Sequence, residues 1–470
     1  MSEQATRADR AGGADLHRGL PMVAKWDPEA LAREKAMLAA LDSKGLGARV
    51  RGYLGKTGPG WLQSALTLGA GSATSSLFAG ALLGYSLLWV QPLGMVLGVL
   101  MFAVISHQTL STGIRPFDAM RRFVHPAVAW AWALASLAAT VIWHFPQYSV
   151  GGSVCADMAS ALGWQNAPTW LFGLAILVVC TSVTWLYGSG ARGIRLYERV
   201  LKALVWTIIL AFLLVVMKTG VDWGKLARGL FGFSVPTSPQ GVAVMMGGLS
   251  AAVGINMTFL YPYTLLARGW GREHRGLAKF DLATGMWVPF VLATGLLVIA
   301  AANTLYDPAN PIARSAVTPV TAARTLEAVA GREVGRIIFD LGVLSMVLSS
   351  ITLHMLVAAF IVCEALGIEA TGWRYRLASL IPIPGVLGTV FWTKIPLWLG
   401  VSTSAICGLL MPIAYIGFFI LHNRRDFLGA DKPTGLRAAF WNVAMIVAIL
   451  IISASGVYFV VTQLPVLLGK

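Results

Sequence analysis

Two short stretches gather the residues best able to hold a small substrate. The first is Leu68-Gly69-Ala70-Gly71-Ser72-Ala73-Thr74-Ser75-Ser76, and the second is Gly247-Gly248-Leu249-Ser250-Ala251-Ala252-Val253-Gly254-Ile255-Asn256. Both lack bulky side chains at their centre and carry hydroxyls or an amide within long apolar surroundings. Glycine lets a backbone leave helical geometry, and the peptide groups so released can act as ligands. Free carbonyls attract cations and free N–H groups attract anions. The candidate substrate-binding residues are therefore Gly69, Ala70, Gly71, Ser72, Ala251, Gly254 and Asn256. Ser72 and Asn256 are the candidates among them for side-chain contact with a metal ion, as neutral oxygen donors. Small residues also let neighbouring helices pack closely, and one such stretch alone would favour packing. Two of them, in corresponding places, favour a site.

His144 is the candidate for proton coupling. It lies in Val141-Ile142-Trp143-His144-Phe145-Pro146-Gln147-Tyr148, and imidazole changes charge near neutral pH. A neutral histidine bonded to a neighbouring helix is an equal alternative there. For His354, set among Ser349, Ser350 and Thr352, packing is favoured. Asp340 is expected to reach an interface, and Asp157, Asp281 and Glu364 are expected to be solvated boundary residues.

The elements that must position these groups are membrane spans. The 470 residues are 57% hydrophobic and 12% charged, against roughly a quarter charged in soluble domains. A span needs roughly 20 apolar residues. No Asp, Glu, Lys or Arg occurs from Thr57 to Ile114. Expected spans are 60–83, 87–106, 127–150, 168–186, 200–217, 242–266, 282–305, 337–363, 377–394, 396–421 and 438–463. The ninth is the weakest, being short and carrying Pro382 and Pro384.

Residues 1–56 form a polar tail in which Asp27-Pro28-Glu29 starts a short amphipathic helix running to about Leu41. The tail has no apolar core of a secretory signal, and it reads as a solvated cytoplasmic segment. With the N-terminus inside, the cytoplasmic segments hold 27 of the 36 lysines and arginines. That asymmetry predicts an inner (plasma) membrane protein, multi-pass, with its N-terminus cytoplasmic and its C-terminus outside. The formal charge of +15 lies in loops rather than on a soluble face, so nucleic acid is not an expected partner. Membrane lipids and a small cation or solute are the expected partners, and the sequence sets no oligomeric state. Cys155, Cys180, Cys363 and Cys407 are scattered and read as small apolar fillers. No phosphate-binding loop, metal-ligand cluster or nucleophile-base spacing occurs, so neither an enzyme, a cofactor nor an ATP-driven pump is expected.

The two weak stretches fall in the first and sixth spans, five apart. That spacing predicts an all-α polytopic protein built as a five-plus-five inverted repeat, with broken helices one and six meeting at mid-membrane and an eleventh helix added. The repeats would run over about 57–217 and 242–421, with the last helix at about 438–463.

Several framework residues resemble a known family. Gly58-Pro59-Gly60 opens the first span, and Gly84-Tyr85 with Leu87-Leu88-Trp89-Val90 opens the second. Asp281 precedes the seventh. Phe339-Asp340-Leu341-Gly342, Leu348-Ser349-Ser350 and Cys363-Glu364-Ala365-Leu366-Gly367 frame the eighth. Together, over roughly 57–463, they resemble the NRAMP family of proton-coupled divalent-metal transporters, whose fold is LeuT-like.

The resemblance implies a site at the family's Asp-Pro-Gly-Asn motif, here Gly69, Ala70, Gly71 and Ser72, and at its Met-Pro-His motif, here Gly254, Ile255 and Asn256. The family's glutamine in the tenth span corresponds to Ser404, and its acidic proton-transfer residues to Phe145 and Tyr148. The metal-binding carboxylate and the thioether are thus missing from the aligned positions.

Three functions follow as expectations. The first is a secondary-active transporter of a divalent cation with altered selectivity. Magnesium fits it best, because that ion keeps several waters when bound. The second is a transporter of a small amino acid or amine, with Trp143, Phe145, Tyr148, Phe259 and Tyr261 as possible pocket walls. The third is a transport-inactive sensor.

Overall fold

Apolar runs of this length can satisfy their peptide groups in lipid only as helices, and helices are what the computed structural model of the chain contains. The structure describes residues 28–187, 191–310, 317, 321–322, 331–368, 372–393 and 396–462. Two short helices, α1 (Pro28–Asp42) and α2 (Leu46–Leu54), precede the bundle. The first span is split into α3 (Pro59–Thr67) and α4 (Ala70–Leu83), bent by 56° across Leu68-Gly69. Then come α5 (Val90–Thr112), the short α6 (Pro116–Phe123), α7 (Pro126–Ala161), α8 (Thr169–Tyr187), α9 (Ala191–Thr219) and a surface helix α10 (Trp223–Phe231). The sixth span is split into α11 (Pro239–Ala251) and α12 (Ile255–Ala267), with residues 252–254 non-helical. Next, α13 (Arg275–Asp281) runs through a π-helical turn, Leu282–Trp287, into α14 (Val288–Thr304). The remaining longer helices are α15 (Arg332–Ala365), α16 (Gly372–Ser379), α17 (Pro396–Gly408), α18 (Met411–Asn423) and α19 (Gly435–Thr462).

Among the described residues, nine helices are long and apolar enough to cross a membrane, or ten with the bent pair α3–α4 counted as one. The expected ninth span, 377–394, is the exception. It is made of α16, a 3-10 turn at Ile383–Leu387 and one helical turn at Gly388–Phe391. Pro382 and Pro384 account for this, since each lacks a backbone donor and restricts its predecessor. Glycines let the segment lie flat on α7: a Cβ on Gly385 would strike His144, and one on Gly388 would strike the Phe145 carbonyl. Pro146, by contrast, does not end α7, which runs eleven residues beyond the expected 150.

Several charged groups lie elsewhere than the sequence suggests. Asp281 is fully buried and its carboxylate accepts from the N–H groups of Gly58 (3.1 Å) and Gly60 (2.6 Å). It thereby caps α3 across the bundle, where two peptide donors would otherwise be orphaned. Asp157 is buried in a bidentate pair with Arg336 (2.7 and 2.5 Å), and Asp340, also buried, stands beside it. Glu364 pairs with Arg115 at 3.0 Å, and Glu198 pairs with Arg268 at 2.6 Å. Asp281, Asp157, Glu364 and Glu198 each have a partner from another helix that offsets the cost of leaving water.

The tail helix is likewise packed rather than solvated. Leu38 and Leu41 are buried, and Glu34 reaches Lys56 (2.9 Å) and His274 (3.5 Å). The four cysteines are free.

Candidate functional site

The site is built where four helix ends meet. The carbonyl end of α3 and the N–H end of α4 supply Leu66, Thr67, Gly69, Gly71 and Ser72. The corresponding ends of α11 and α12 supply Ser250, Ala251, Gly254, Asn256 and Met257. Trp143 and Gln147 of α7 and His354 of α15 close the walls. The cavity has a volume of about 20 Å³, room for about one water molecule. In this conformation a hydrated divalent ion or an amino acid does not fit; a largely dehydrated ion does.

The break in α3–α4 is held by specific bonds. Ser72 Oγ donates to the Thr67 carbonyl at 2.6 Å, and Gly69 N–H also donates to that carbonyl at 2.9 Å. From α15, the hydroxyls of Ser349 and Ser350 donate to the carbonyls of Ala65 and Leu66, each at 2.9 Å. Gln147 Oε1 accepts from Ala70 N–H at 2.9 Å. That donor is one that a substrate carboxylate would have used, so the arrangement disfavours an amino acid. Gly69 and Gly71 are needed for close approach. A Cβ on Gly69 would enter the Ser350 hydroxyl and the Gln147 amide, and one on Gly71 would enter the Trp143 ring and approach the Ser404 hydroxyl.

The second break places side-chain donors. Gly254 N–H lies 3.2 Å from Met257 Sδ, so a thioether is present at the cavity after all, one residue beyond Asn256. Asn256 is buried, and its Nδ2 has no protein partner. A buried amide with an unused donor marks a group that awaits a ligand or water.

Of the residues singled out from sequence, Gly69, Gly71, Ser72, Ala251, Gly254 and Asn256 line the cavity. Ala70 contributes its N–H to Gln147 instead. Ser404 sits behind Gly71 and donates to the Gly400 carbonyl at 2.8 Å. His144 is buried off the cavity, with its ring 5.4 Å from that of His354. His354, assigned above to packing, is the histidine that reaches the cavity.

Among the five aromatic residues considered, Trp143 alone lines the cavity. Phe145 packs on Trp392, Tyr148 beside His144, Phe259 on Tyr263, and Tyr261 on Phe102. Gln147 and Met257 were missed by the sequence reading. The residue spacing held the signal: Gln147 is four residues after Trp143 on one helical face, and Met257 is in the first turn after Gly254. No cluster of three or more His, Cys, Asp or Glu suited to a metal occurs among the described residues.

Long apolar helices and two mid-span breaks around one small cavity define a multi-pass membrane transporter scaffold of the LeuT-like kind. The chain matches the family model described as "Natural resistance-associated macrophage protein-like" over residues 60–462, and it belongs to that Nramp family. It is 26% identical over 431 residues to the "Divalent metal cation transporter MntH" of Deinococcus radiodurans, covering 87% of this chain and 90% of the relative. The protein of the same description from Agrobacterium fabrum is 21% identical over 412 residues, covering 84% and 85%. Among solved structures, the Eremococcus coleocola manganese transporter superposes with a TM-score of 0.71 at 16% identity, covering 91% of this chain and 90% of that one. Mhp1, a nucleobase-cation-symport-1 family transporter, superposes at 0.56 and 16% identity, covering 87% and 93%. At such identities the structural likeness speaks for the fold alone. Membership of the Nramp family places the chain among transporters and not enzymes.

Proposed function

We propose that the chain is a secondary-active transporter of a divalent metal cation, working by alternating access around the cavity between α3–α4 and α11–α12. The observation that carries this reading is the meeting of the broken ends at a water-sized cavity that holds the Met257 thioether and the unpaired Asn256 amide. The carbonyl ends of α3 and α11 each bring about half a negative charge. They supply much of the attraction that a carboxylate would otherwise provide.

Selectivity follows from donor type and room. A sulfur donor favours first-row transition ions. Magnesium sheds its water reluctantly, and the volume leaves no place for that water. The magnesium expectation rested on that ion keeping several waters when bound, and a cavity of about 20 Å³ argues against that ground. A manganese-like ion is therefore favoured, bound weakly because no anionic side chain lines the cavity among the described residues. The relatives described as divalent metal cation transporters and the fold of a manganese transporter support the same class.

His354 and His144 form the proposed proton-coupling pair. His354 lines the cavity, and His144 is the next imidazole along. The repeats are assigned to about 57–217 and 242–421 with α19 added, and residues 1–56 to the tail. The charge asymmetry supports an inner-membrane placement with the N-terminus cytoplasmic and the C-terminus outside.

The test is uptake of Mn²⁺, Mg²⁺ and Ca²⁺ into proteoliposomes, with and without an inward proton gradient. Mn²⁺ flux that Gly71→Leu abolishes is expected, because the new side chain fills the cavity. Absence of flux for all three ions would sink the proposal.

A further inference from the structure

A second, larger cavity lies at the end of the bundle, away from the site above. It has a volume of about 460 Å³ and is lined by His107, Arg275, Lys279, Lys432, Thr434 and Arg437, together with Asp431. That is within the range of small-molecule pockets. It sits where α5 ends, α13 begins and α19 begins.

Its charges do not balance. Among the described residues Asp431 is the one acid lining it, and that carboxylate is engaged by Arg275 at 2.9 Å and by Arg272 at 3.1 Å. Lys279 lies within electrostatic reach of both Arg275 and Arg437. Among the described residues, no carboxylate pairs with Lys279, Lys432 or Arg437. Three cations held around one opening repel each other unless an anion enters. Thr434 and Arg437 also flank the start of α19, a helix of 28 residues whose N–H end adds to the positive potential.

The surface next to the cavity says which anion. From its start α19 presents Leu436 (91% exposed), Phe440, Val443, Val447 and Leu450 on one open face. Their spacing of four, three, four and three residues keeps them in line along the helix. A ligand with a phosphate head and acyl chains matches both features at once, whereas free phosphate would leave the apolar stripe unused.

We propose that this cavity binds the phosphate headgroup of an anionic phospholipid, with its acyl chains lying along α19. The site is independent of the metal-transport reading. It needs only that the chain spans a membrane.

The experiment uses the full-length protein in neutral detergent. Phosphatidylglycerol, phosphatidylcholine and inorganic phosphate are titrated separately, with the unfolding temperature and lipid adducts in native mass spectrometry as readouts. The wild type should gain thermal stability and retain lipid with phosphatidylglycerol, and should gain neither with phosphatidylcholine. In the triple variant Lys279→Gln, Lys432→Gln, Arg437→Gln, the half-saturating phosphatidylglycerol concentration should rise at least about tenfold. Should the triple variant fold poorly, Arg437→Gln alone should show a smaller rise in the same direction, and Arg425→Gln, outside the cavity, none. Equal phosphatidylglycerol binding by wild type and the Arg437→Gln or triple variant would overturn the proposal. Protection by inorganic phosphate at the same concentrations as the lipid would overturn the lipid assignment.

Discussion

The cavity at the helix breaks and the clusters at the helix ends use polar chemistry in opposite ways. At the cavity the donors are hydroxyls, amides, peptide groups, a thioether and an imidazole. At the ends they are full charges: Asp281 on the N–H groups of α3, Arg336 on Asp157, Arg268 on Glu198, and Arg115 between Asp118 and Glu364. A buried charge pair is costly to separate, so it suits contacts that hold the frame. A neutral hydrogen bond contributes about 1 kcal/mol net, so it suits contacts that must be exchanged during a transport cycle. The buried charge pairs stand at the ends, and the contacts around the cavity are neutral.

The sharpest way to break that comparison is Arg336→Ala. It leaves Asp157 and Asp340 buried beside each other without a cation, and the loss should be about 3–5 kcal/mol. It would be seen as a lower unfolding temperature in detergent. A loss below about 1 kcal/mol would mean that the charged ends do not hold the frame.

Asp281→Ala comes next. It strips both acceptors from Gly58 and Gly60, and a loss of about 2–4 kcal/mol is expected, with Asp281→Asn recovering part of it. The same thermal assay reads it.

Met257→Ala tests the other side of the comparison. Mn²⁺ uptake should fall about tenfold relative to Mg²⁺ uptake, equivalent to about 1.4 kcal/mol in favour of the thioether. A fall shared equally by both ions would remove the sulfur from the selectivity argument.

The smallest effect concerns the tail. The His274 ring 3.5 Å away, together with the hydrogen-bonded Lys56 ammonium, lowers the Glu34 carboxyl from 4.5 to about 2. A depressed carboxylate stabilises the fold fully above its ordinary value, and the contribution is lost as pH falls from about 4.5 toward 2. Glu34→Gln mimics the acid state at neutral pH. Amide exchange across residues 28–42 should then quicken while that of α15 stays unchanged.

Much of the frame was legible in the chain because composition settles it. Long charge-free runs mark spans, and the glycine clusters at 69–71 and 247–254 announce the breaks that the structure has at 68–69 and 252–254. What was not legible depended on contacts distant in sequence. Asp281 looks like a solvated boundary residue until Gly58 is brought to it from 223 positions away. Met257 escaped notice because alignment compares positions, whereas a helix turn can carry a neighbouring side chain to the same place. His354 was assigned to packing because its surrounding hydroxyls look self-sufficient. Those of Ser349 and Ser350 turn out to serve α3 instead.

Those two serines have a mechanical consequence. Through them the lower half of the first span is fastened to α15, while Gln147 fastens the upper half to α7. Neither half can tilt without releasing its latch or dragging a long neighbour along. Three latches of about 1 kcal/mol each are weak enough for thermal motion to open and strong enough to favour one posture. In the proposed transport cycle the halves are released separately, one toward each side of the membrane, so that the cavity need never be open to both at once.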